Sequence, residues 1–202
     1  MTITNEKKAQ RHISKYENTN FIHRHVLNAF QNKLLTLMNK KYKNVLEIGC
    51  GEGLLLKSLL IKGFMTESYC GIDTRREAIK VAQEIHPNFS FKWTAYQDFA
   101  TTKNFDLIIC SQVLEHLEEP SQCLQKIAEL ANNETDIVLS VPWEPWFMLS
   151  NFVRGRDLLS FGNHPEHIQH WSASSFQKLA RKHFSANHLA LSFPFLIIKS
   201  NL

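Results

Sequence analysis

The chain has 202 residues, of which 44% are hydrophobic and 21% charged, with a formal net charge of +4. That length carries one sizeable core and is short for two ordinary domains, so a single domain over 1–202 is expected. The composition excludes long disorder outside the N-terminus, and a surplus of four charges permits an anionic partner without indicating one.

Part of the surplus sits at Lys7, Lys8, Arg11 and Lys15. Residues 1–18 read as a solvated polar arm rather than a nucleic-acid contact. The N-terminus lacks the apolar stretch of a signal peptide, and no run approaches the roughly 18 apolar residues of a membrane span. Cys50, Cys70, Cys110 and Cys123 form no C-x-x-C pair. Cys70 and Cys110 lie in strand-like runs, where reduced, buried cysteine is common. A cytoplasmic location is expected.

In chain order, a helix follows the arm, with Thr19 or Asn20 as its cap. Ile22, Val26, Phe30, Leu34, Leu37 and Met38 recur at helical spacing. A strand over 44–48 runs into a glycine-rich turn and a helix over 52–62, which Gly63 stops. A second strand over 69–72 precedes a helix over 75–85, with Pro87 just beyond. Residues 89–93 alternate like a third strand, and 105–110 form a dense apolar fourth. Pro120 opens a helix where its missing N–H costs least. A fifth strand covers 136–141. An aromatic insertion fills 142–171, and Ser172 caps a helix reaching about His183. Two short strands flank Pro194. Strands alternating with helices predict parallel pairing with right-handed crossovers, and the last two predict an antiparallel edge hairpin. The expected fold is α/β, a Rossmann-like, open, mostly parallel seven-stranded sheet with helices on both faces.

The sharpest feature is Val45-Leu46-Glu47-Ile48-Gly49-Cys50-Gly51-Glu52-Gly53, a strand running into G-x-G-x-G. Glycine lets the backbone turn tightly and approach a ligand. A dinucleotide fingerprint would place its third glycine at 54, where this chain has Leu54, and would leave a bare helix N-terminus for pyrophosphate. Glu47 before the loop and Glu52 inside it would instead repel pyrophosphate and suit the ammonium of an amino acid. Asp73, ending the second strand, is placed to accept from two ribose hydroxyls. Asp98 is placed to accept from an adenine amino group, and Phe99 to cover the ring. An amino-acid end, a ribose and an adenine together describe S-adenosylmethionine (SAM).

These motifs resemble the class I SAM-dependent methyltransferases, in the broad group that includes the ubiquinone-biosynthesis enzymes. The resemblance covers 45–141 well and extends weakly beyond. Glu47-x-Gly49-x-Gly51-x-Gly53 matches the motif that contacts the methionine part, Asp73 the ribose acid, and Asp98 the adenine-side acid. Phe105-Asp106-Leu107-Ile108-Ile109-Cys110, followed by Val113-Leu114-Glu115-His116-Leu117, matches the fourth strand and its turn. The cofactor set it implies is Glu47, Gly49, Cys50, Gly51, Gly53, Asp73, Thr74, Asp98, Phe99 and Ser111.

Methyl transfer is an in-line displacement on an activated donor, so positioning supplies much of the rate. An oxygen acceptor also needs a base near neutral pH, and histidine is the natural one. His116 stands at the mouth beyond the fourth strand. His167 lies in Glu166-His167-x-x-His170-Trp171-Ser172, which resembles the family's lead into the helix after the fifth strand. These two are the catalytic candidates. His164, His167 and His170 form H-x-x-H-x-x-H, but Gly162-Asn163-His164-Pro165 reads as a turn, so zinc is not expected. Related ubiquinone O-methyltransferases carry Glu-x-x-Glu-His, associated with a divalent cation, after the fourth strand. Here Gln112 replaces the first Glu, and losing an anionic ligand weakens a hard-cation site, so no metal is expected. The insertion, with Trp143, Trp146, Phe147, Phe152, Arg154 and Arg156, packs a small core of its own, covers an apolar acceptor or rests on a membrane surface. Ser111-Gln112-Val113-Leu114 departs from the Asn/Asp-Pro-Pro-aromatic motif of base N-methylation, and no dense basic stripe is present. The expected acceptor is therefore a small molecule rather than nucleic acid, methylated on oxygen; an RNA or protein methyltransferase and a non-catalytic partner-binding protein are the alternatives.

Overall fold

The computed structural model describes residues 21–144, 168–185 and 188–202, without the side chain of His23. Helix α1 spans Phe21–Leu37 and leads through Tyr42 into strand β1, Asn44–Ile48. There follow α2 (Leu54–Ile61), β2 (Ser68–Asp73), α3 (Arg76–Ile85), β3 (Ser90–Trp93) and β4 (Leu107–Ser111). A single 3-10 turn, Leu114–His116, precedes α4 (Pro120–Leu130) and β5 (Asp136–Pro142). Helix α5 (Ala173–Ala180) and the hairpin β6 (His188–Ser192) and β7 (Phe195–Ser200) complete the described chain.

The seven strands form one sheet in the order β3-β2-β1-β4-β5-β7-β6. The first five pair in parallel, and β7 runs antiparallel to both β5 and β6. Fold class and strand content are as expected. The element ends differ by one to three residues, because the sequence pattern does not mark where a ladder or helix stops. Helix α2 begins at Leu54 rather than at 52, since Gly51 and Gly53 hold left-handed backbone (φ 54° and 72°) and cannot join a right-handed helix in that state.

Alternation along the strands sends side chains to opposite faces. Val45, Tyr69, Leu107, Ile109 and Val138 face α1, α2 and α3 with Phe30, Leu34, Leu56, Leu59, Ile79 and Ala82. Leu46, Ile48, Ile72, Ile108, Ile137 and Leu139 face α4 and α5 with Leu124, Ile127, Phe176 and Ala180. Both faces of the parallel part are therefore covered, which is why its strands read as unbroken apolar runs. Ser172 caps α5 with a reciprocal Ser172–Ser175 capping box, and Pro120 opens α4. At the amino ends of the strands, the Tyr42 hydroxyl donates to Asp136 over 2.6 Å, with Lys199 at 3.0 Å and Lys40 at 3.3 Å from the same carboxylate. No helix among the described residues is long and apolar enough to cross a membrane.

Candidate functional site

Winding reverses between β1 and β4, and such switch points open a crevice at the carboxyl ends of the strands. A cleft of about 920 Å³ lies there, within the range of small-molecule sites. Its walls are Ile48 and Gly49 after β1, Glu52 in the glycine loop, and Ile72 to Arg75 after β2. Thr94 to Gln97 after β3, and Gln112, Val113, His116 and Leu117 after β4, close the other side.

The glycine loop is shaped by close contact. Gly49 has φ 74°, and a Cβ there would overlap Cγ2 of Val113. The loop after β4 is thus packed directly on the loop after β1. The N–H groups of Gly49 and Cys50 both donate to the Ile72 carbonyl, over 2.8 and 3.0 Å. Gly51 donates to Oδ2 of Asp73 over 2.8 Å, and Arg75 N–H to Oδ1 over 2.8 Å. Each Asp73 oxygen takes one backbone donor and keeps acceptor capacity for another. The Arg75 guanidinium bridges Asp73, at 3.4 Å, and Glu52, at 3.3 Å. The cleft mouth thus carries two carboxylates and one cation.

The predicted residues divide into those on the cleft and those behind it. Gly49, Asp73, Thr74 and His116 line it, and Gly51 reaches it through its bond to Asp73. Glu47 requires a correction. Its side chain is buried under the loop on the α2 face, where the Tyr69 hydroxyl donates to it. Burial and then the nearby Asp73 charge push its carboxyl well above the usual range. Enclosed under the loop, Glu47 does not line the cleft as its position suggested; Glu52 is the acid of this loop on the cleft wall. Cys50 is likewise buried, and Ser111 turns its hydroxyl to Ser140 over 2.8 Å.

Phe99 is a second correction. It is 3% exposed and belongs to the core, with the Lys92 ammonium 5.4 Å from its ring centre. Tyr96, half-buried on the cleft, is the aromatic side chain at that end, and burial raises its hydroxyl pKa. Asp98 is exposed and stands beyond the wall, which ends at Gln97. Sequence reasoning missed Arg75, Tyr96, Val113 and Leu117. Arg75, two residues after Asp73, carried the one legible signal, a cation beside two acids. His167 and His164 lie outside the described residues.

Beyond β4, Gln112 holds a left-handed conformation (φ 57°), alone among the described residues other than glycine. Its N–H donates to the Ser140 carbonyl over 2.9 Å and its side-chain amide to the Ser140 hydroxyl over 3.2 Å. The next acid, Glu115, is 1% exposed, and burial pushes its carboxyl to about 8. His116 is exposed on the cleft. Gln112 thus bonds to Ser140 while lining the cleft, Glu115 is buried, and His116 is exposed on the cleft. The Glu115 carbonyl accepts from Ile168 (2.8 Å) and Gln169 (3.0 Å), which ties the chain returning from the insertion to the turn after β4.

A doubly wound sheet with a G-x-G-x-G loop, an acid ending β2 and a cleft at the switch point has the architecture of the class I SAM-dependent methyltransferases. The family model described as a methyltransferase domain matches residues 17–183, and the chain belongs to that family. Among curated relatives, the ubiquinone biosynthesis O-methyltransferase of Glaesserella parasuis is 32% identical over 108 residues, covering 48% of this chain and 44% of its own. The mitochondrial enzyme of that name from Saccharomyces cerevisiae is 31% identical over 116 residues, covering 54% and 36%. The chain thus spans less than half the length of these relatives. Among solved structures, the plantazolicin methyltransferase BpumL in complex with a triazolic desmethylPZN analog and S-adenosylhomocysteine (SAH) matches with a TM-score of 0.71. It is 17% identical over 98% of this chain and 92% of that one. The N-methyltransferase NodS from Bradyrhizobium japonicum, with SAH, matches with a TM-score of 0.63 at 17% identity, over 92% and 89%. These two likenesses establish the fold.

The residues present fit SAM. Gly49 and Glu52 line the cleft where the amino-acid end would lie, Asp73 keeps acceptor capacity for ribose hydroxyls, and Thr94 to Gln97 form a mixed wall for the base.

Proposed function

We propose that the protein methylates a hydroxyl oxygen of a small, apolar or aromatic molecule, with SAM as donor. The observation that carries this reading is the continuity of the cleft. It runs from Asp73 and the glycine loop to His116, past the apolar side chains of Val113 and Leu117. Asp73, Gly49 and Glu52 hold the donor at one end, and Gln112, Val113, His116 and Leu117 receive the acceptor at the other. When bound, SAM supplies a methyl group on a sulfonium, so an acceptor O–C bond forms as the S–C bond breaks. His116, on the cleft wall, takes the hydroxyl proton as general base. Val113 and Leu117 exclude water from the reacting oxygen. We take the insertion over 142–171, whose residues 145–167 lie outside the described ones, as the acceptor lid on one domain spanning 1–202; Trp143 at its root packs edge-on against Phe193 at 6.4 Å.

Similarity to ubiquinone biosynthesis O-methyltransferases supports an oxygen acceptor, and the neutral Gln112 supports a metal-independent site. The test is methyl uptake from labelled SAM into catechols, quinols and long-chain phenols, with RNA and protein as competing acceptors. The expected product is a methyl ether whose formation falls in His116→Ala. Labelling of RNA or protein, with none in small phenolic or quinol acceptors, would overturn the proposal.

A further inference from the structure

We propose that His86 is a positioning residue that holds the glycine loop in its cofactor-binding shape through a hydrogen bond to the Gly53 carbonyl; this rests on the cleft being a SAM site. His86 directly follows α3, and its N–H closes that helix onto Ala82 over 2.9 Å. Its ring is 7% exposed, stacked on Phe91 (centroids 5.9 Å apart, 26° between planes). Nε2 lies 3.0 Å from the carbonyl oxygen of Gly53. A carbonyl only accepts, so Nε2 carries the proton and Nδ1 does not, in the neutral ring.

Gly53 is the residue on which the loop becomes a helix. It holds φ 72° immediately before α2 and has no side chain to fix it. A Cβ there would lie 2.9 Å from Cδ2 of His86, so the imidazole occupies the space a side chain would need. Glycine populates several backbone regions at similar energy, and something outside the residue must choose among them. On the cleft side the choice is made by the Ile72 carbonyl and the Asp73 carboxylate, which take the N–H groups of Gly49, Cys50 and Gly51. At Gly53 the side-chain tether comes from behind the loop, from His86, which does not line the cleft. The Gly53 carbonyl also accepts from the Lys57 N–H over 3.0 Å, and the Gly53 N–H donates to the Cys50 carbonyl over 3.0 Å, so losing the His86 bond loosens one of several ties that set the aim of Glu52 and of the Gly51 N–H. The bond also joins the end of α3 to the start of α2, so the second and first crossovers are fixed to each other at the site.

A packing role needs only a flat ring of this size, which phenylalanine supplies. A positioning role needs the donor. Calorimetric titration of the full chain with SAH separates the two. Wild-type protein binding in the micromolar range confirms the site, and its failure to bind would refute the SAM reading itself, apart from any variant. His86→Phe keeps the ring and removes the donor, and SAH affinity is expected to fall roughly threefold to tenfold. His86→Gln returns an amide N–H at similar reach and is expected to restore affinity to within about twofold. A folded His86→Phe that binds SAH like wild type, or a His86→Gln as weak as His86→Phe, would overturn the proposal. Ring nitrogen chemical shifts of the wild-type protein give a check that needs no variant. They should place the proton of His86 on Nε2 at neutral pH, and a proton on Nδ1 alone would overturn the proposal equally.

Discussion

The Gly51 N–H and the Asp73 carboxylate meet at 2.8 Å across the base of the cleft, joining the loop after β1 to the end of β2. The same carboxylate takes the Arg75 N–H at 2.8 Å. Asp73 therefore shapes the loop and keeps its remaining acceptor capacity for the ligand. Asp73→Ala should weaken SAH binding at least tenfold, about 1.4 kcal/mol, while the domain stays folded. Calorimetry checks this, and unchanged affinity would remove Asp73 from the site.

Gly49 and Val113 are in direct contact, with no room for a methyl group between them. Gly49→Ala adds both a clash and a left-handed alanine, at a cost of roughly 1–3 kcal/mol. The expected result is a lowered thermal midpoint together with lost SAH binding. Adding Val113→Ala should recover part of the midpoint and less of the binding, because the backbone strain remains.

Glu115 gives the protein a pH dependence of stability. Burial raises its folded-state pKa to about 8, so the folded form holds the proton more tightly than the unfolded form. Its contribution is fully present below the ordinary carboxyl range and is lost as the pH rises from there through about 8. Glu115→Gln keeps a neutral side chain at every pH. Relative to wild type, its melting temperature should rise by several degrees between pH 5 and pH 8. A constant difference across that range would contradict a buried, protonated Glu115.

Tyr42 and Asp136 brace the opposite end of the sheet. Burial acts to raise the Asp136 carboxyl, but the Tyr42 hydroxyl and Lys199 together hold it below the usual range. Its contribution is present above the ordinary aspartate pKa and is lost as the pH falls through the lowered folded value. Tyr42→Phe should cost about 1–2 kcal/mol at pH 7. That cost should shrink in acid, as thermal melts of both proteins at pH 7 and pH 3 would reveal.

Much of the sheet was legible because burial on both faces writes β1, β4 and β5 as apolar runs that few other elements produce. Of the residues expected at the site, Gly49, Asp73, Thr74 and His116 line the cleft, and backbone geometry dictates the residue type most plainly at Gly49. Glu47 was misread because its charge was weighed without the cost of burying it. The alternation that sends Leu46 to one face sends Glu47 to the other, under α2 and away from the ligand. Phe99 and Tyr96 sit three residues apart in one loop, and which ring meets the cleft depends on loop turns that no periodicity encodes. Arg75 and His86 act through partners far away in sequence, Glu52 and Gly53, so their roles appear only once β1 and β2 lie side by side.

Everything proposed for the site depends on SAM binding in the cleft at the ends of β1, β2 and β4. A calorimetric titration of the wild-type protein with SAM and with SAH, paired with thermal melts, tests it most directly. Binding to the native state alone must raise the melting temperature, so micromolar affinity with a clear upward shift for both ligands is the predicted result. A folded protein that gives neither heat nor shift with either ligand would contradict it.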